Sequence, residues 1–282
     1  MVRERFGLAE LARTQDARGQ KEIKRKVTSR RHYIALVSIL VVFLQQESLM
    51  SKQVGVIVGV GEGNGAALAR AFAKTGMSMA LLARQTGFTE ELAASLPGAR
   101  AYACDVADPA SVAQAFGRIR SDLGDPTTVV YNAGSGVWGD VESISLEGFE
   151  TSWRVNAYGA LAVSREVIPA MKAAGSGNII FIGATASRRG GPRTAAFAPA
   201  KAAQRSLAES MARSLWPSGI HVALIAVDAV VDLPRTRRAM SDKPDDFFLK
   251  PDDMAASAVW LAQQPRSAWT FEIDVRPFGE KW

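Results

Sequence analysis

Val54 to Gly76 reads VGVIVGVGEGNGAALARAFAKTG, an apolar strand-like run, then glycines at alternate positions, then an alanine-rich amphipathic run. Glycine lets the backbone turn sharply and approach a pyrophosphate, whose charge then sits at the positive N-terminus of the helix that follows. The turn scores as GxGxxA on Gly61, Gly63 and Ala66, or as GxxxGxG on Gly59, Gly63 and Gly65. A glycine-rich turn can also join a strand to a helix for steric reasons alone. Its position between the first strand and the first helix points instead to a dinucleotide held by Gly59, Gly61, Gly63 and Gly65.

Outward from this turn, short apolar runs alternate with amphipathic segments to the end of the chain, the pattern of βαβ units building a parallel sheet. Strands are expected at 54–59, 78–83, 99–104, 127–132, 178–183, 221–226 and 271–275, with helices near 65–75, 89–95, 109–122, 147–173, 196–215 and 251–263. This predicts an α/β fold with a single doubly wound, seven-stranded parallel sheet of Rossmann type, spanning residues 51–282. Asp232 to Lys250 is charged, proline-bearing and poorly periodic, and reads as a long connection, either a substrate lid or a solvated loop. The second strand ends at Leu82-Ala83-Arg84, where an acid would bind the free ribose hydroxyls of NAD. Arg84 offers a guanidinium to a 2′-phosphate instead, which favours NADP, with NAD still possible; Glu62 beside the turn weighs the other way.

Composition narrows the class. Hydrophobic residues make up 48% and charged residues 22%, as in ordinary globular proteins. A single cysteine, Cys104, excludes an intramolecular disulfide framework and fits a reducing, cytoplasmic compartment; two histidines, His32 and His221, cannot build a Cys/His metal cluster. The net charge of +6 comes mostly from residues 1–50, where ten Lys/Arg face five Asp/Glu, so the folded part gives no sign of a nucleic-acid partner. That leader also carries an apolar run of 12 residues, Tyr33 to Leu44, shorter than the about 20 a membrane span needs, so no firm membrane association is expected. Three readings compete for it: an over-extended start, a targeting or anchoring segment, and an accessory helix. Met50 stands just before the first strand and favours the first reading, as does Gln46-Glu47, which in a bacterial source can be encoded as the purine-rich sequence of a ribosome-binding site. Native peptides from residues 3–31, found by mass spectrometry, would remove it.

The GxxxGxG turn, Asp105-Val106 after the third strand, Asn132-Ala133-Gly134 after the fourth and Asn156 in the next helix stand in an order and spacing that resembles the short-chain dehydrogenase/reductase family over the whole of 53–282. The resemblance implies that Asp105 and Val106 meet the adenine, that Asn132, Ala133 and Gly134 support the cofactor pocket, and that Asn156 organises a proton-relay water. It also implies a homodimer or homotetramer, because the helices equivalent to 147–173 and 196–215 pack against another subunit.

The family's chemistry uses a serine after the fifth strand and, thirteen residues on, a Tyr-x-x-x-Lys whose two side chains share one helix face. The ammonium lowers the phenol's pKa and holds the nicotinamide ribose, the phenol transfers the proton, and the serine polarises the carbonyl. Here the segment is Phe197-Ala-Pro-Ala-Lys201 and the serine position holds Ala184. No tyrosine follows Tyr158, so slipping the alignment does not restore one; Thr185 neighbours the serine position and is the nearest hydroxyl in sequence. After the sixth strand, where the family has Pro-Gly and a threonine, Val227, Asp228 and Asp232 stand; Asp228 is either a substitute proton donor or a loop cap.

Catalytic candidates are therefore Asn156, Lys201 and Thr185. Two functions fit: an NAD(P)-dependent oxidoreductase acting on a carbonyl or alcohol with a degenerate tetrad, and a catalytically inactive NADP-binding sensor or partner subunit. Val137, Trp138 and Phe247 in the loops at 134–146 and 228–250 suggest a nonpolar small-molecule substrate, and Arg276 lies past the last strand, at the pocket's edge or an interface.

Overall fold

The structure is a computed structural model and describes residues 53–280; the basic leader lies outside the described residues. Among those residues the chain runs β1 (Val54–Val58), α1 (Asn64–Ala73), β2 (Ser78–Ala83), α2 (Gly87–Ala94), β3 (Arg100–Ala103), α3 (Pro109–Asp122), β4 (Thr128–Tyr131) and α4 (Leu146–Trp153). A π turn (Arg154–Tyr158), α5 (Gly159–Ala174), β5 (Gly177–Ala184), α6 (Phe197–Leu215), β6 (Ile220–Val227), β7 (Val230–Val231), α7 (Pro234–Ala239), β8 (Phe248–Leu249), α8 (Pro251–Ala262) and β9 (Glu272–Val275) follow.

Seven strands form one parallel sheet in the order β3-β2-β1-β4-β5-β6-β9. The order reverses between β1 and β4, and ligands of such sheets bind in the crevice beyond the strand ends at that point. Each expected strand is found within one residue of its expected ends. Side chains alternate between two cores: Val54, Val56, Val129, Phe181 and Leu224 face α3, α5 and α6, while Ile57, Val130, Ile180 and Ile225 face α1 and α8. Caps fix the helix starts locally. The Asp108 carboxylate accepts from Ala110 N at 3.0 Å and the Ser145 hydroxyl from Gly148 N at 3.0 Å.

Two expectations needed correction. The helix foreseen at 147–173 is interrupted by the π turn, because the Asn156 amide donates to Ser152 O at 2.8 Å and so competes for the carbonyl that a continuous α-helix would use. The connection 232–250 is not free of regular structure: α7 lies within it, and β7 and β8 pair in parallel, Val230 with Phe248 and Val231 with Leu249. Local bonds that leave no periodic trace build this segment. The Thr236 hydroxyl accepts from Leu233 N and donates to Val231 O at 2.6 Å, while Arg237 pairs with Asp232 and Asp245 and lies 4.2 Å from the Phe248 ring.

Candidate active site

The site is built on the C-terminal ends of β1, β4, β5 and β6. Gly59 takes φ +86°, and a Cβ there would stand 2.5 Å from the Ala133 backbone; a Cβ on Gly65 would stand 2.7 Å from Val60 Cα. These two glycines therefore permit close backbone packing. Gly61 has no heavy atom within 4 Å of its Cβ position and leaves the turn's outer face open. Asn132 staples the turn to β4, its amide donating to Gly59 O at 2.7 Å and its N–H to Val58 O at 2.9 Å. The first N–H groups of α1 have no acceptor within the helix; Ala66 N donates to Gly61 O and the Leu233 side chain lies against Gly63, so the turn offers a dinucleotide pyrophosphate its open face at Gly61.

Arg84 is exposed directly after β2, and Asp105 is exposed two residues after β3 with its carboxylate accepting from Ala107 N at 3.0 Å. Val106 is buried and packs on Gly159, whose Cβ would meet the Val106 carbonyl at 2.6 Å. The Val106 side chain thus belongs to the core beneath α5.

Deeper in the crevice, Lys201 is 5% exposed and donates to Ile182 O at 2.9 Å and to Gln204 Oε1 at 3.0 Å. Burial pulls its ammonium down from 10.5 to about 7. A Cβ on Gly134 would lie 3.9 Å from Lys201 Nζ and 3.4 Å from Asn156 Oδ1, so both groups face the same glycine. Asn156 is fully buried; its amide donates to Ser152 O and Ser135 O, and its Oδ1 is left without a partner. Phe197 packs against Trp138 with ring centroids 4.9 Å apart and planes tilted by 33°, and Lys201 Nζ lies 6.0 Å from the Phe197 centroid.

The remaining candidates are engaged elsewhere. Thr185 Oγ1 donates over 3.4 Å to Val227 O, turning its hydroxyl toward β6. Asp228 faces Arg276 at 3.6 Å, which also bonds Asp274, and Arg237 holds the Asp232 carboxyl below its ordinary value. Two residues escaped the sequence reading. Gln204 is buried beside Lys201 with its Nε2 unpartnered, and the Ser187 hydroxyl is likewise buried without a partner. A polar residue three positions after the lysine, on the same helix face, was the available signal for Gln204. Among the described residues no cluster of three metal-ligating side chains forms, and no helix is long and apolar enough to cross a membrane.

Comparison with known proteins agrees with the fold. The sequence profile of the short chain dehydrogenase family matches residues 53–242. D-threitol dehydrogenase of Mycolicibacterium smegmatis is 29% identical over 222 residues, covering 74% of this chain and 85% of that protein. A protein of Xanthobacter autotrophicus named inactive 2-(S)-hydroxypropyl-CoM dehydrogenase 2 is 30% identical, covering 69% and 90%. The alcohol dehydrogenase of the archaeon Thermococcus sibiricus, solved with 5-hydroxy-NADP, superposes with a TM-score of 0.73 at 26% identity, covering 81% and 98%. The chain belongs to the short-chain dehydrogenase/reductase family, whose members matched here are named dehydrogenases and oxidoreductases.

Proposed function

We propose that this chain is an NADP-dependent oxidoreductase that interconverts a nonpolar carbonyl compound and its alcohol with a degenerate tetrad. The observation that carries this reading is the pairing of Lys201 Nζ and Asn156 Oδ1 about Gly134, beside an intact glycine cradle. In the proposed complex the cradle and α1 hold the pyrophosphate, Arg84 meets the 2′-phosphate, Asp105 meets the adenine and Lys201 lies at the nicotinamide end. The nicotinamide supplies or takes up hydride. Positioning of the two reactants by the chain's own residues is a large part of catalysis without any phenol, since general acid–base help accounts for only about 10²–10⁴-fold. Trp138 over Phe197 offers an apolar wall to the substrate and shields the reacting atoms from water.

A second reading, an NADP-binding partner or sensor without turnover, is favoured by the joint absence of hydroxyls at 184 and 197, and by the relative that is itself named inactive. NADPH oxidation over a panel of aldehydes, ketones and quinones separates them. Turnover abolished by Lys201→Ala supports the enzyme. Tight NADPH binding with no turnover, together with activity gained in the Ala184→Ser/Phe197→Tyr double variant, supports the partner.

A further inference from the structure

With the phenol gone, the reaction needs another acid, and the side chains around the crevice leave few. Thr185 is committed to Val227 and is not acidic; Asp228 and Asp232 are each held by an arginine. Lys201 remains. Two of its three N–H groups are engaged by Ile182 O and Gln204 Oε1, and its nitrogen and the unpartnered Asn156 Oδ1 both face Gly134.

We propose that Nζ of Lys201 is the proton donor of this site, reaching the substrate oxygen directly or through one water, and that Gln204 is the positioning residue that holds it. The inference rests on the oxidoreductase reading above. In the reducing direction the carbonyl carbon accepts hydride, with its electron pair, from reduced nicotinamide dinucleotide, and the carbonyl π pair moves to oxygen. That oxygen takes a proton from Nζ, the N–H pair stays on nitrogen, and the resulting neutral amine regains a proton from solvent past Asn156.

Two properties suit the pair to this task. Burial alone shifts Lys201: no charged group of β5, the π turn, α6 or the loop after β4 contributes, and a value about 7 lets the ammonium give up a proton near neutral pH. Gln204 is fully buried, sits one helical turn from Lys201, and presents an oxygen at 3.0 Å that orients the nitrogen without a charge. A carboxylate in its place would make the ammonium a poorer acid.

The test uses the full chain with ¹³C-labelled lysine, the Lys201 resonance being assigned by its absence from Lys201→Met. Its titration is followed by NMR beside the pH dependence of carbonyl reduction, for wild type, Gln204→Glu and Gln204→Leu; NADPH binding measured by fluorescence shows that each variant is folded. The expected wild-type midpoint is near neutrality, and the rate falls as pH rises through it. In Gln204→Glu both the midpoint and that limb move up together by about one pH unit or more. Gln204→Leu is expected to lower kcat while leaving the Kd for NADPH within about twofold, because the amide positions the acid and not the cofactor. A wild-type midpoint near 10, or a rate profile that stays put while the Lys201 midpoint moves, overturns the donor assignment and leaves the oxidoreductase reading standing. Absence of turnover with every carbonyl, with NADPH bound, removes that reading and the donor role together. An unmoved Lys201 midpoint in both variants removes the role of Gln204.

Discussion

At Phe197 the ring packs on Trp138, yet nothing on it can release a proton, so shape and proton chemistry part at a single residue. The same separation holds across the crevice: Asn132, Gly59 and Gly65 keep the backbone in place, while Ala184 has no polar atom to offer a carbonyl. Arg84 tests the cofactor choice without disturbing that packing, because it is exposed at the end of β2. Arg84→Asp is expected to weaken NADPH binding by roughly tenfold to a hundredfold and to leave NADH binding equal or tighter, measured by isothermal titration; equal loss for both cofactors would deny Arg84 its role. Residues such as Lys201 and Phe197 were legible in the sequence because their spacing is fixed within one helix. Gln204 was not, since a buried glutamine and an exposed one look the same until the helix is docked against Ile182 O and Asn156.

Among the elements, β6 carries an environment at its start that has nothing to do with the crevice at its end. His221 is buried between Trp216 and Trp269, stacked on the latter at 4.8 Å and 5°, with Nε2 bonded to Thr270 O. Burial lowers its pKa below the usual 6.5, with the Thr270 carbonyl opposing in part. The folded ring thus binds its proton less tightly than the unfolded one, so its stabilisation is complete above 6.5 and is lost as pH falls from there through the lower folded value. The expected result is a wild-type Tm that drops between about pH 7.5 and pH 5.5, with a smaller drop in His221→Phe; parallel curves would show that another group titrates. At the edge of the sheet, burial alone would raise the Glu272 carboxyl, but Arg205 and Arg188 outweigh it and hold the value low, tying β9 to α6. The strands were readable because each is a short apolar run closed by turn residues. The π turn and the β7–β8 pair were not, for they depend on side-chain amides and hydroxyls that compete with regular backbone bonding and leave no hydrophobic period behind.

For the whole molecule, α4 and α5 carry some of the large apolar side chains exposed among the described residues. Phe149 and Trp153 are each 43% exposed and Leu161 39%. The family resemblance implies a homodimer or homotetramer through α4, α5 and α6, and Trp153→Glu is expected to shift it toward monomer in light-scattering measurements at micromolar concentration, leaving NADPH binding intact. A wild-type chain that stays monomeric as concentration rises would end that expectation.

The contact between Trp138 and Phe197 carries an optical consequence. An indole 58% exposed to solvent stands over the ring that occupies the tyrosine position, at the mouth of the crevice. Reduced nicotinamide absorbs where indole emits, so a dinucleotide bound at the proposed site is expected to quench Trp138 and to gain emission by energy transfer. Quenching that is lost in Trp138→Phe would report occupancy of the proposed site without label or turnover, whether or not any substrate is ever found.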